Sequence, residues 1–164
     1  MLKFLRNYPG EDLILYFFVI ALAVLVCDQW IKYVIVSNME HYQSIPVIKN
    51  IFHITYVQNK GAAFGLLPNQ TLFFVIVTII VVAVIITVFW KTRHRNNFGL
   101  LHLSLALQLG GALGNLIDRI RLGYVIDFLD FRIWPVFNFA DSAIVVGVIL
   151  LSWVLLRTPD DKTA

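Results

Sequence analysis

The 164-residue chain has one cysteine, few charges and no recognisable metal-binding pattern. Cys27 alone cannot close an internal disulfide, and its place in an apolar run makes it an expected small core residue. His41 and His53 lack metal-ligand spacing and read as surface residues, and no His-Glu-x-x-His pair of a zinc peptidase is present. Gly-x-Gly-Asp and a Gly-x-Ser-Gly-like nucleophile are missing too, and His102, the only histidine within an apolar span, falls near the opposite end of that span from its carboxylates. Charged residues make up only 14% of the chain, with a net charge of +3. The basic residues stand at the ends of apolar runs, as membrane topology requires, so nucleic-acid binding is excluded as the reason for the positive balance. Internal repeats and low-complexity segments are absent as well.

What the chain has is hydrophobicity: 59% of residues are hydrophobic and mean hydropathy is +0.79. Apolar runs of this length and density predict one polytopic membrane domain over 1–164, with spans at about 13–36, 72–90, 98–117 and 139–156. The first run is too long for a secretory signal peptide and has no Ala-x-Ala-like exit, so it reads as an uncleaved helix. The polar segment 37–70 contains Ile51-Phe52-His53-Ile54-Thr55-Tyr56-Val57, whose period of two would put Phe52, Ile54 and Tyr56 on one face of a strand. The expected fold is therefore all-α and membrane-integral, with four transmembrane helices and a small extracytoplasmic β-sheet.

Four spans bring both termini to one side. Lys3, Arg6, Lys91, Arg93, Arg95, Arg157 and Lys162 gather there, which makes it the cytoplasm by the positive-inside rule. Asp28, segment 37–70, Asn115, Asp118, Asp127 and Asp141 are then expected at the outer face. Carboxylates in or beside spans are costly and mark function. Asp28 and Lys32, spaced i, i+4 with the acid first, share a helix face and predict an ion pair directed into the bundle. In the third span Gln108, Gly111, Asn115, Asp118 and Arg119 recur at intervals of three or four on one face, beside a GxxxG at Gly110 and Gly114 that permits close helix approach. Asn138 is placed to cap the fourth span, which puts Asp141 in its first turn, where the helix dipole favours negative charge.

Two carboxylates brought together share a proton, so that one activates water while the other protonates the substrate. Spacing leaves open which two of Asp28, Asp118, Asp127, Asp130 and Asp141 meet. A small proton-coupled transporter is the alternative, but its acids belong near the membrane midplane, whereas these gather at one edge.

Ordered motifs over nearly the whole chain narrow the choice. Asp28-Gln29-x-x-Lys32, Asn59-x-Gly61-Ala62-Ala63-Phe64, Gly110-Gly111-Ala112-x-Gly114-Asn115-Leu116-x-Asp118-Arg119, Gly123-x-Val125-x-Asp127-Phe128 and Phe137-Asn138-x-Ala140-Asp141-Ser142 resemble the lipoprotein signal peptidases (signal peptidase II). The resemblance implies an aspartyl endopeptidase of the bacterial cytoplasmic membrane. Its substrates would be diacylglyceryl prolipoproteins, cut just before the lipidated cysteine, with membrane lipid as surroundings and no metal or cofactor. It implies Asp127 and Asp141 as the catalytic pair. Asp28, Lys32, Asn59, Gly61, Gly111, Asn115, Asp118, Arg119 and Asn138 would line or support the site, with Asn115, Asp118 and Arg119 as one set. Small residues from Gly61 to Ala63 would let that segment approach substrate closely. Asp130 receives no role and reads as solvated. Behind its cap Asp141 is expected to rest ionised, leaving the shared proton on Asp127.

Overall fold

A computed structural model describes residues 10–61, 70–94 and 99–157. Lys3, Arg6, Ala62, Ala63, Phe64, Arg95 and Lys162, all used in the expectations above, lie outside the described residues. Four helices long and apolar enough to cross a membrane are present: α1 (Gly10–Asn38), α2 (Thr71–Thr92), α3 (Gly99–Leu122) and α4 (Phe139–Arg157). They overlap the four expected spans, and the main departure is at the end of α3. Nothing after Ile117 breaks the helical pattern until Gly123, so α3 runs on to Leu122. Gly123 takes φ +80° and donates its N–H to the Arg119 carbonyl at 3.1 Å, a left-handed helix stop. A Cβ there would meet nothing within 4 Å, so the backbone angle, not space, calls for glycine.

α3 packs on each of the other three helices. Its small residues make this possible: a Cβ on Gly111 would collide with the Ala140 carbonyl oxygen of α4, and one on Gly114 would sit 2.5 Å from the Asp28 carboxylate of α1. At one end of the bundle the core is apolar. Phe17 stacks on Phe89 at 3.9 Å, surrounded by Ala21, Ile85, Leu101, Leu105 and Leu109. Cys27, expected in the core, is instead exposed on α1, because the buried face of that helix is taken by Ala21, Val24, Asp28 and Lys32. In a membrane an apolar side chain has no need of the interior.

The other end carries an antiparallel sheet of order β1-β2-β3, with β1 (Ser44–Ile48), β2 (Phe52–Asn59) and β3 (Val125–Asp130). The first hairpin turns through Asn50 at φ 63°, a conformation asparagine tolerates. β3 lies in the segment between α3 and α4, where Val-Ile-Asp-Phe-Leu-Asp is a short β-branched and aromatic run. The β2–β3 register shifts between Ile54, opposite Leu129, and Val57, opposite Asp127. Thr55 and Tyr56 thus stand against Phe128 alone, a bulge immediately beside Asp127. Tyr56, Ile126 and Phe128 pack with Ile35 and the neighbouring Ile54, seating the sheet on the end of α1.

Candidate active site

Three elements deliver the two principal carboxylates. β3 supplies Asp127, the bulged β2 supplies the Asn59 that grips it, and the first turn of α4 supplies Asp141. That turn is a capping box with asparagine and aspartate in the reciprocal positions: Asp141 N–H donates to Asn138 Oδ1 at 2.8 Å and Asn138 N–H to Asp141 Oδ2 at 3.2 Å. The expected cap is therefore present, and it locks the Asp141 side chain as well as the helix start.

Asp127 is buried. Its Oδ2 accepts from Asn59 Nδ2 at 2.9 Å and its Oδ1 from Asn138 Nδ2 at 2.7 Å. The Asn59 carboxamide is itself oriented by Gly61, whose N–H donates to its Oδ1 at 3.0 Å. Burial first, then the charge of Asp141, push the Asp127 carboxyl up to about 7, against the opposing pull of Asn59, Asn138 and Lys32. Asn138 also donates to Asn115 Oδ1 at 3.0 Å, and Asn115 Nδ2 donates to Asp141 Oδ1 at 2.8 Å. Two carboxamides thus link the two acids.

Behind them lies an ionic cluster. Lys32 Nζ is 2.8 Å from Asp28 Oδ2 and 2.8 Å from Asp118 Oδ2, all three side chains being buried. The predicted i, i+4 pair is present and directed inward, and Lys32 serves a second acid as well. Asp28 Oδ1 accepts the Ala140 N–H at 2.9 Å, and Asp118 Oδ2 accepts the Ile126 N–H at 3.2 Å, so the cluster ties α1 and α3 to α4 and β3. Gln29, to which sequence reasoning gave no role, donates to Asp118 Oδ1 at 2.9 Å and to the Gly114 carbonyl at 3.2 Å. Its place beside Asp28 in the motif was the available signal.

Three expectations need correction. Asp118 was grouped with Arg119, but its ion-pair partner is Lys32. Successive residues on a helix point about 100° apart, and Arg119 instead lies over the Phe74 ring of α2, 5.2 Å from its centroid, within the fields of Asp141, Asp127 and Asp118. Asp130, expected to be solvated, is 4% exposed. Burial pushes its carboxyl up, but the Thr55 hydroxyl at 2.7 Å and Arg132, through its N–H and guanidinium each at 2.9 Å, hold it below the ordinary carboxylate range. His53 likewise is half-buried rather than exposed, with Nδ1 3.1 Å from Ser44 Oγ.

Asp127 and Asp141 share one cavity of about 820 Å³ with Asn59, Gly61, Asn115 and Arg119. Its apolar wall comes from Phe131, Ile133, Trp134 and Phe137 of the segment after β3 and from Val145 and Val146 of α4. Asp28, Lys32, Asp118 and Asn138 do not line that cavity; they stand behind it. No group of three or more metal-ligating side chains occurs among the described residues.

Four membrane-crossing helices with a paired-carboxylate cavity at one end define a polytopic membrane protein equipped for acid–base chemistry. The family model for signal peptidase (SPase) II matches residues 20–157, and the chain belongs to that family of aspartic peptidases. A lipoprotein signal peptidase of Moorella thermoacetica is 58% identical over 140 residues, covering 85% of this chain and 92% of the relative. One from Halothermothrix orenii is 51% identical over 134 residues, 82% of this chain and 90% of the relative. Two solved structures of a bacterial membrane enzyme, obtained by the in meso method, superpose with TM-scores of 0.81 and 0.79 at 36% and 37% identity. They cover 96% and 94% of this chain and 95% and 98% of theirs. The transporter alternative finds no support in any of these.

Proposed function

We propose that this protein removes signal peptides from diacylglyceryl-modified prolipoproteins, cutting on the N-terminal side of the lipidated cysteine, with Asp127 and Asp141 as its catalytic pair. The observation that carries the reading is the shared cavity: both carboxylates face it, and Asn115 and Asn138 join them.

Asp127 holds the shared proton at rest and Asp141 is the base. Asp141 takes a proton from water as the water oxygen attacks the scissile carbonyl carbon, and Asp127 gives its proton to the carbonyl oxygen. The resulting gem-diol collapses as Asp141 passes its proton to the amide nitrogen and the C–N bond breaks. Asp127 recovers a proton from the diol, which restores the starting state. Because the two acids titrate as a unit, activity follows a bell-shaped pH profile whose limbs belong to the pair. Asn59, Asn115 and Asn138 hold the acids in place. Gly61 fixes Asn59, and Asp28, Lys32, Asp118 and Gly111 hold the helices that carry them. Arg119 is the cation available to substrate in the cavity.

The lipid selects the substrate. Burying an acyl chain contributes about 0.8 kcal/mol per CH₂ and holds the scissile bond at membrane level, where the apolar wall of the cavity receives it. The site faces outward: Lys91 and Arg93 mark the other end of α2 as cytoplasmic. A cysteine at Gln43 should label from outside and one at His94 should not, in a Cys27→Ala background.

The decisive experiment is gel-shift cleavage of a diacylglyceryl prolipoprotein by the purified protein. Wild type should cut the lipidated precursor, leave the unlipidated one intact, and lose cleavage on Asp127→Asn. A folded Asp127→Asn protein with near wild-type turnover would end the mechanism.

A further inference from the structure

Lys32 is 1% exposed and does not line the cavity, yet it stands one side chain away from Asp141, with Asn115 between them. A lysine ammonium has three protons to donate and nothing to accept with. Here three acceptors surround it: Asp28 Oδ2 at 2.8 Å, Asp118 Oδ2 at 2.8 Å and Asn115 Oδ1 at 3.0 Å. Asn115 must therefore turn its oxygen toward Lys32, and that leaves its NH₂ facing Asp141 Oδ1. Asn138 is oriented by the Asp141 N–H, which its oxygen accepts, and its NH₂ supplies both Asn115 Oδ1 and Asp127 Oδ1. Turned the other way, Asn115 would present an oxygen to Asp141, which could then hold that contact only as the protonated acid. The ionised form of Asp141, the base of the pair, would lose that support.

We infer that Lys32 is a positioning residue that, together with the Asn138 NH₂, holds the Asn115 oxygen inward and its NH₂ on Asp141, and so keeps Asp141 available as the base. The inference rests on the proposed catalytic role of Asp127 and Asp141. The charged groups around Asp141 are Asp127 on β3 and Arg119 on α3. Asp28 and Lys32 on α1 and Asp118 on α3 stand behind Asn115. Asn59 and Asn138 offer internal contrasts, because the Gly61 and Asp141 N–H groups orient them without Lys32.

Removing Lys32 alone would strand two buried carboxylates. Lys32→Met combined with Asp118→Asn leaves only one and keeps the net charge: the cluster of Asp28, Asp118 and Lys32 has a formal charge of −1, and the pair of changes leaves Asp28 alone, again −1, with the Gln29 amide and Ala140 N–H still donating to it. The kcat–pH profile on lipidated precursor is the readout, with melting curves to establish folding. A hydrogen bond to a charged group is worth enough to move a limb by about one pH unit. The acid limb of the double variant should move upward by that much, with kcat lowered and KM little changed. Lys32→Arg, also a pure donor, should leave the limb where wild type has it. A folded double variant with an unmoved limb overturns the inference, as does Lys32→Arg shifting the limb equally. A second readout needs no change at Lys32. In the wild-type protein the Asn115 side-chain amide protons, assigned by their loss in Asn115→Ala, should shift along the acid limb, and amide protons indifferent to that limb overturn the inference too. Turnover retained by Asp127→Asn, run in parallel, would instead sink the catalytic pair itself.

Discussion

Helices α2 and α3 have nearly equal lengths and opposite economies. α2 is the more apolar of the two and faces almost wholly outward, whereas α3 is much less apolar and mostly buried. In water the more apolar helix would be the inner one. In lipid, tails already satisfy apolar side chains, so burial goes to the helix with small and polar residues, which gain from close packing and hydrogen bonds. α2 therefore presents Leu72, Ile76, Ile79 and Ile80 outward. α3 turns Gly111, Gly114, Asn115 and Asp118 inward, and Asn115 directly supports the candidate site.

Substitutions should therefore grade in effect from the carboxylate end of α3 outward to α2. The steepest loss is expected where Asn115 delivers its bond: Asp141→Asn should cut kcat on lipidated precursor by about 10³-fold, within the range of a lost general base, while the purified protein still melts cooperatively. Asp118→Asn comes next. Lys32 keeps Asp28, so no buried charge is left unpaired, and the loss of one charge-assisted contact should lower stability by about 1.5–3 kcal/mol. Thermal melting in detergent should show it; no loss would mean the cluster is not structural.

The pH dependence of stability tests Asp127 in particular. The folded protein keeps this carboxyl protonated up to about 7, while the unfolded chain releases its proton near the ordinary 3.8. Wild type should thus lose stability as pH rises between those values, by at most about 1.4 kcal/mol per unit. Asp127→Asn has nothing to titrate there, so its melting temperature relative to wild type should climb from pH 5 to 7 and level off above about 8. A constant difference would place the carboxyl in an ordinary environment.

Smaller effects complete the gradient. Gly111→Ala should destabilise by about 1–3 kcal/mol, since the new methyl meets the Ala140 backbone, which cannot swing aside as a side chain could. Ile79→Val on the outward face of α2 should stay within about 0.5 kcal/mol. An Ile79 change as damaging as the Gly111 one would refute the contrast between the two helices.

Local spacing carried a good part of this protein. Four apolar runs fix the spans because a helix needs about twenty apolar residues to cross hydrocarbon. The i, i+4 placement of Asp28 and Lys32 and the i, i+3 placement of Asn138 and Asp141 made their contacts legible, since helical geometry alone brings such residues together. The site residues were named from motif resemblance, and the structure brings them to one end of the bundle. Other features belong to tertiary structure alone. Lys32 bridges to Asp118, 86 positions away, Asp130 is buried by contacts from β2, and β3 joins the sheet through a bulged register. Arg119 points to α2 while its neighbour Asp118 points to α1. None of these follows from a period of two or 3.6, because each depends on which distant backbone the small residues of α3 allow to approach, and only the packed chain decides that.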